Sequence, residues 1–416
     1  MYSSGTRQDD RNCCSFPACQ LYLTSQGVGN SKAMRFAPTE LNEAELALQA
    51  EVRAFVAKEL APGTHERQLG MGARRDREFS KKLGEQGWLG MAIPKKYGGH
   101  DRSAVDRFVV VEELLRAGAP LGHHWIADRQ TASVILKFGT EEQRERFLPR
   151  ICSGEYGFSI GMSEPDSGSD LASVSTRGTK ADGGWLINGT KIWTSGAHEN
   201  DWFVVLCRTS PLEDGAKHQG LSQVLIDLNA EGLEINPIPF LNGEREFNEV
   251  VLNDVFVPDE LVLGELGMGW AQNTSELAYE RGGPDRWLST YGVVEELLRL
   301  QQDDDGEPLS ERMVELIGWA TARFWALRNM SLSVARIIDE GGAPSVESAL
   351  VKEMGTRFEQ DLLLKVVELV DLEPSPTADT LFERMVTQAT LTGPVFTIRG
   401  GTVEILRSVA AKGLRS

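Results

Sequence analysis

A change of hydrophobic period is the feature that most limits what this chain can fold into. The pattern is helical up to about Gly157, strand-like to about Gly267, and helical again to the end. From Asn42 onward, Leu48, Val52, Phe55 and Val56 fall at i, i+4, i+7 and i+8, which is one face of a helix. Helical patterning continues over 79–88, 105–116 and 127–138, with GMAIPKKYGG as a break between the first two. After 157 the apolar segments become short and rich in Val, Ile, Trp and Phe. WLINGTKIW predicts a hairpin between Trp185 and Trp193, with Asn188 and Gly189 at its positive-φ positions. Further strands are expected at 202–208, 223–228, 233–237 and 249–257. The helical period then returns at Met313, Leu316, Ile317, Phe324 and Leu327, and at Val351, Met354, Phe358 and Leu362. Four or five long helices of this kind pack as a bundle. At 416 residues the chain exceeds one ordinary core. The reading is an α+β chain with a helical domain at 34–156, a β-barrel or sandwich domain at 157–266 and a helical bundle at 267–416. Residues 1–33 lack periodicity, and Asp9 and Asp10 sit where a secretory signal needs an apolar core. They are expected to be a disordered leader, which a start at Met34 would leave out.

Charge excludes some functions. Lys and Arg total 43 against 61 Asp and Glu, a net charge of −18, which opposes sequence-independent grip on a nucleic-acid polyanion. No apolar run approaches the roughly 18–20 residues of a membrane-crossing helix, and a cytoplasmic protein is expected. Cys13, Cys14 and Cys19 lie in the leader, and Cys152 and Cys207 are expected to be buried thiols. There is no H-E-x-x-H pair, and the adjacent His123 and His124 would diverge by about 100° on a helix, so no metal site is expected. No G-x-G-x-x-G follows a strand and no P-loop is present.

Two motifs in the β region carry chemistry. SEPDSGSD (163–170) surrounds Gly168 with small and hydroxyl residues, so backbone N–H groups, helped by Ser163 and Ser169, could approach an anion or a ring edge. A plain Ser/Asp/Gly turn is the alternative. KIWTSG (191–196) offers Trp193 beside the hydroxyls of Thr194 and Ser195, where a Trp face can pack on a flat ring. The alternative there is a strand with a core Trp.

Taken in order with GWLGMAIPKKYGG (87–99) and FGTEEQRERFLPRICSGE (138–155), these motifs resemble the acyl-CoA dehydrogenase family of flavoproteins, from about Phe36 to the C-terminus. The resemblance implies FAD. It also implies that Ile160, Met162, Ser163 and Ser169 line the flavin and pyrophosphate, with Ser169 also near the acyl-CoA. Trp193, Thr194 and Ser195 would pack on the ring and hydrogen-bond it. Many members carry a catalytic Glu in a C-terminal E-G-T motif, and the matching stretch here is IRGGTVEILR (398–407), with Gly400 at the base position. A minority place that Glu on a helix just before an Arg, and this chain reads ELAYERGGPDR, with Glu280 before Arg281. Glu280 is thus the implied base, its alternative being a surface Glu paired with Arg281 or Arg286. Gly400 and Gly401 would still bind the thioester, Thr402 and Glu404 would reach the cofactor, and Arg281 would lie on the CoA side or pair with Glu276 or Asp285.

Two family features are missing. The run QDDDGEPL (302–309) lacks the Arg and Phe that reach a neighbouring subunit's FAD, its three aspartates being expected to face solvent, and no glycine-rich adenosine segment is evident between Val370 and Pro394. The expected assembly is a tetramer, either homomeric or α₂β₂ with a homologous chain. The expected activity is α,β-desaturation of an acyl-CoA, with electrons passing to an electron-transfer flavoprotein. The alternatives are an oxidase or flavin monooxygenase of the same superfamily, or a non-catalytic subunit. A glycine at 400 frees volume, which favours a branched, bulky or long acyl group.

Overall fold

Local signals start the N-terminal helices. In α1 (Glu43–Glu59) the Asn42 side chain accepts the Glu45 N–H while the Glu45 carboxylate accepts the Asn42 N–H, a reciprocal cap. Asp76 and Ser103 cap α2 (Arg77–Glu85) and α3 (Ala104–Arg116) in the same way at one end. The helix expected over 127–138 is split: a single wide π turn at Ala127–Thr131 precedes α4 (Ala132–Phe138). That turn gives adjacent residues different partners. Asp128 accepts the Gly90 N–H at 2.6 Å and Arg107 at 3.0 Å, while Arg129 reaches Asp285 at 2.8 Å. A second reciprocal cap, Thr140 with Gln143, starts α5 (Glu141–Cys152). A computed structural model describes residues 36–413 except 62–64, 68, 70–73, 213–215, 303–308 and 376, with backbone alone at 276–280 and 302. The expected leader at 1–33 and the three aspartates of QDDDGEPL lie outside the described residues.

The middle region is one seven-stranded sheet. Its strands are β1 (Phe158–Gly161), β2 (Arg177–Ala181), β3 (Gly184–Ser195), β4 (Trp202–Arg208), β5 (Leu221–Asp227), β6 (Leu233–Ile238) and β7 (Phe247–Pro258). They run in the order β1-β4-β2-β3-β7-β6, with β5 on β4. The strands expected at 202–208, 223–228, 233–237 and 249–257 correspond to β4 to β7. The hairpin expected at Asn188 and Gly189 does not form, because β3 runs straight through both residues. The reason is a bulge on the partner strand: Asp254 of β7 takes φ +51 and exchanges hydrogen bonds of 2.8 and 3.0 Å with the Asn188 side chain. Gly189 serves a close approach instead, since Thr176 lies against its α-carbon. The actual turn joins β2 to β3 at Asp182 and Gly183, the latter at φ +69.

Six helices follow: α6 (Gly269–Glu280), α7 (Tyr291–Gln302), α8 (Glu311–Asp339), α9 (Ser345–Val370), α10 (Leu381–Thr392) and α11 (Val403–Gly413). Helices α7 to α10 share one apolar core with α1, α2 and α3, in which Leu48, Val109 and Leu114 join Leu332, Phe358 and Leu362. The sheet has a separate core, closed by Phe147, Leu148 and Ile151 of α5 and Ile135 of α4. Bidentate pairs fasten the first and last helical thirds, Arg328 to Glu112 at 2.7 and 2.9 Å and Arg336 to Glu45 at 2.5 and 2.6 Å. Cys152 and Cys207 are buried free thiols. Among the described residues no helix is long and apolar enough to cross a membrane.

Phe147 joins α5 to the sheet, with no exposure and an edge-on contact to Trp202 at 4.9 Å. Phe147→Ala is expected to destabilise the fold by about 3–5 kcal/mol, read from the denaturant midpoint.

Candidate active site

The end of β3 is built to present an aromatic face. Lys191 pairs with Val250 and Thr194 with Asn248, so three steps on β3 oppose two on β7 and a bulge falls at Ile192 and Trp193. Trp193 adopts φ +60, a region that bulky residues avoid, and its side chain stays 54% exposed between the fully buried Lys191 and Thr194. Backbone strain at an exposed indole leaves a flat aromatic face open to a partner. Phe247 braces the ring edge-on at 6.2 Å, and Asn248 Nδ2 donates to the Thr194 carbonyl at 2.9 Å. Thr194 Oγ1 is buried without a hydrogen-bond partner, so a polar group arriving there would satisfy it.

A buried ion pair joins this strand to SEPDSGSD. Lys191 Nζ lies 2.8 Å from Glu164 Oε1 and donates to the Met162 carbonyl at 3.2 Å. The Glu164 carboxylate also accepts the Ser175 N–H at 2.6 Å, the Ser175 hydroxyl at 2.7 Å and the Thr176 N–H at 2.9 Å. Burial by itself would raise the Glu164 carboxyl, but Lys191 and these donors outweigh it and hold it down at about 2. The Ile192 N–H donates to the Ser163 carbonyl at 2.9 Å and the Ser159 hydroxyl to the Ser195 carbonyl at 2.8 Å. Ile160, Met162 and Ser163 are thus brought beside Trp193, Thr194 and Ser195. Ser169 is exposed further along the loop, where Lys217 pairs with Asp170 at 2.7 Å. The pairing of Glu164 with Lys191 escaped the sequence reading, although both residues sit inside the motifs it singled out.

A second cluster forms where α6 ends. Arg281, its C-cap, donates through Nε to the Gly400 carbonyl at 2.9 Å, which ties the turn after Glu280 to the IRGGT loop. The side chains of Glu276 and Glu280 lie outside the described residues. Gly400 and Gly401 take φ +68 and +97, so a residue with a Cβ would be strained at either position. Thr402 Oγ1 accepts the Ile405 N–H at 3.3 Å as the cap of α11, and Glu404 is exposed on its first turn. Asp285 pairs with Arg129 and with Arg286, each at 2.8 Å.

Beside this cluster lies a cavity of about 360 Å³, lined mostly by apolar side chains, among them Trp88, Phe108, Trp125, Val334 and Ile338. Its wall also includes Gly282, Gly283 and Asp285, the turn that directly follows Glu280 and Arg281. The two glycines widen it there, and Ser331 of α8 holds the Gly282 carbonyl. No group of three His, Cys, Asp or Glu side chains suited to a metal occurs among the described residues.

An exposed aromatic shelf, a loop of small and hydroxyl residues and an apolar cavity beside the end of α6 together form the candidate site. Residues 42–155 match the family model for the acyl-CoA dehydrogenase N-terminal domain, and residues 159–255 match that for the middle domain. FadE29 of Mycobacterium tuberculosis, an acyl-CoA dehydrogenase, is 30% identical over 400 residues, covering 90% of this chain and 98% of its own. FadE34 of the same organism is 35% identical over 371 residues, covering 88% of this chain and 48% of its own, so the chain spans about half the length of that relative. The solved structure of the Tcur3481-Tcur3483 steroid ACAD superposes with a TM-score of 0.80 at 30% identity, covering 92% of this chain and 99% of that one. The ChsE4-ChsE5 complex from M. tuberculosis gives 0.77 at 27% identity, covering 90% of this chain and 98% of that one. The chain belongs to the acyl-CoA dehydrogenase family, whose members are FAD-binding oxidoreductases.

The Glu164 carboxyl is depressed in the folded state, so its contribution to stability is complete above the unfolded value of 4.5 and is lost as pH falls towards about 2. Glu164→Gln strands a buried ammonium and is expected to destabilise by about 3–5 kcal/mol near neutral pH. The gap between wild type and variant should narrow on acidification through that window, as measured by chemical unfolding.

Proposed function

We propose that this chain is an FAD-dependent acyl-CoA dehydrogenase that removes one hydrogen from each of the α and β carbons of an acyl-CoA thioester, with Glu280 as the base. The observation that carries this reading is the hydrogen bond from Arg281 to the Gly400 carbonyl, which sets the helix end bearing Glu280 beside the glycine loop and the apolar cavity. The N–H groups of Gly400 and Gly401 would polarise the thioester carbonyl, and so acidify the α-proton that Glu280 accepts. An apolar cavity excludes water, which strengthens both interactions. The cofactor would rest on the Trp193 face, with Thr194 and Ser195 at its ring edge, Ile160, Met162, Ser163 and Ser169 along it, and Thr402 and Glu404 from the C-terminal loop. When bound, FAD accepts the β-hydride and later yields its electrons to an acceptor, which we take to be an electron-transfer flavoprotein. Arg281 would serve the CoA side while holding the loop.

The substrate is proposed to be a bulky, ring-bearing acyl-CoA. A mostly apolar cavity of about 360 Å³ supports this, because clefts and cavities of about 300–1,000 Å³ take ligands larger than a short acyl chain. Likeness to a steroid ACAD supports it further. The assembly is proposed to be a tetramer, homomeric or α₂β₂, a reading supported by likeness to the two-component ChsE4-ChsE5 complex.

Glu280→Gln should keep its flavin yet slow anaerobic bleaching by a ring-bearing acyl-CoA by about 10²- to 10⁴-fold. An unchanged bleaching rate rules out Glu280 as the base. Trp193→Ala deletes the flat contact and is expected to lower the flavin-to-chain ratio of the purified protein; full occupancy with an unaltered flavin spectrum would refute the role given to that strand.

A further inference from the structure

The Gly400–Gly401 segment restricts its own backbone very little, since neither residue carries a Cβ and both take positive φ. Something must hold it. One face of α9 does so from upstream, through residues at i, i+4, i+7 and i+8. Gln360 Nε2 donates to the Gly393 carbonyl at 2.9 Å, Thr356 Oγ1 to the Phe396 carbonyl at 3.2 Å, and Lys352 Nζ to the Thr397 carbonyl at 3.0 Å. Glu359 pairs with Arg399 at 2.7 Å and accepts the Ser289 N–H at 2.6 Å. The residue immediately before Gly400 is therefore fastened to α9, and Gly400 itself to Arg281.

Lys352 is the anomalous tooth of this comb. It is fully buried, and the charged groups facing it are mostly of its own sign: Arg281 from the end of α6, Arg286 beside Asp285 in the 284–286 turn, and Arg399 from the loop. Glu359 of α9 and Glu404 of α11 oppose them, and Glu280 is the other titratable residue at the end of α6 by sequence. Burial, reinforced by the three arginines, lowers the Lys352 ammonium from the ordinary 10.5 to about 7. A buried cation among cations is expensive, and a neutral donor would hold the Thr397 carbonyl at less cost. Stability therefore does not account for the charge.

We infer that Lys352 is a positioning residue for the proposed reaction: it fixes the Gly400–Gly401 loop through the Thr397 carbonyl, and its charge stabilises the negative charge that grows on the thioester oxygen as the α-proton leaves. The inference rests on the reading of Gly400 as the thioester contact. In the step concerned the α C–H bond breaks, its proton passes to Glu280 and the electron pair spreads onto the carbonyl oxygen as an enolate. No oxidant is needed. Exchange of Glu280's proton with solvent and its return to carbon would label the α position with deuterium.

The experiment follows deuterium uptake at the α carbon of a ring-bearing acyl-CoA in D₂O, with the flavin-loaded protein, from about pH 6 to about pH 9. Wild-type exchange is expected to decline as pH rises through about 7, where Lys352 gives up its proton. Lys352→Met should be about 10-fold or more slower at pH 6, with acyl-CoA affinity within about twofold and no alkaline decline, since electrostatic stabilisers act on the transition state more than on binding. Lys352→Arg, charged throughout, should sustain its low-pH rate at pH 9. A wild-type profile flat through pH 7, or a Lys352→Met rate equal to wild type, overturns the inference. Glu280→Gln distinguishes the two readings. If the wild type does not exchange, or Glu280→Gln exchanges like it, the active-site reading falls and this inference with it; if only Lys352→Met matches wild type, this inference alone falls.

A second readout needs no cofactor. The lysine's folded value lies below its unfolded one, so the unfolded chain binds more protons between about 7 and 10.5 and stability rises with pH in that window. In the flavin-free chain the lead in Tm of Lys352→Met over wild type should shrink from pH 7 to pH 9, and a constant lead contradicts the buried charge.

Discussion

The ion pair between Lys191 and Glu164 is the interaction on which the cofactor side of this protein depends. Both groups are buried, and Glu164 accepts from Lys191, two backbone N–H groups and a hydroxyl. A half-satisfied pair at that depth would be worse than an apolar contact, so complete satisfaction makes the arrangement stable and unique. Its geometric effect is to lock a Ser/Gly-rich loop to a strand end. With Lys191 drawn inward and Thr194 buried, the two residues between them must bulge, and Trp193 is turned outward at positive φ. The strain in that residue is sustained by the pair behind it.

The acyl side depends on a different device. The apolar core of the C-terminal helices is continuous with that of α1 to α3, so the cavity is walled by elements more than two hundred residues apart in sequence. Arg129 to Asp285 and Arg328 to Glu112 pin those elements across the seam. A cavity inside a shared core is rigid, since close-packed walls yield little. Such rigidity suits discrimination by shape.

Motif positions, family resemblance and element type were legible in the sequence because all are carried by short stretches of chain. Period marked the helices and four of the strands, and the first glycine of IRGGT announced that no carboxylate would stand at position 400, where the backbone takes φ +68. The Asn188–Gly189 hairpin was misread because a turn dipeptide states only what the backbone tolerates. Asp254, more than sixty residues away, captured the Asn188 side chain and turned the site into a register slip within one strand. The real turn, at Asp182 and Gly183, had the same kind of signal in KADGGW.

What the sequence determined by itself was the succession of α, β and α, the caps at Asn42, Asp76, Ser103 and Thr140, and the placing of the motifs SEPDSGSD, KIWTSG and IRGGT along the chain. Each is set by interactions within a few positions of the chain. That Arg281 is tied to the Gly400 carbonyl, that two helical regions share one core, and that α9 presents a buried ammonium to the backbone before Gly400 were decided by the tertiary structure alone. Burial is a property of the packed molecule, and the energies of Lys191, Glu164, Arg129 and Lys352 come from partners that only packing brings within hydrogen-bond distance.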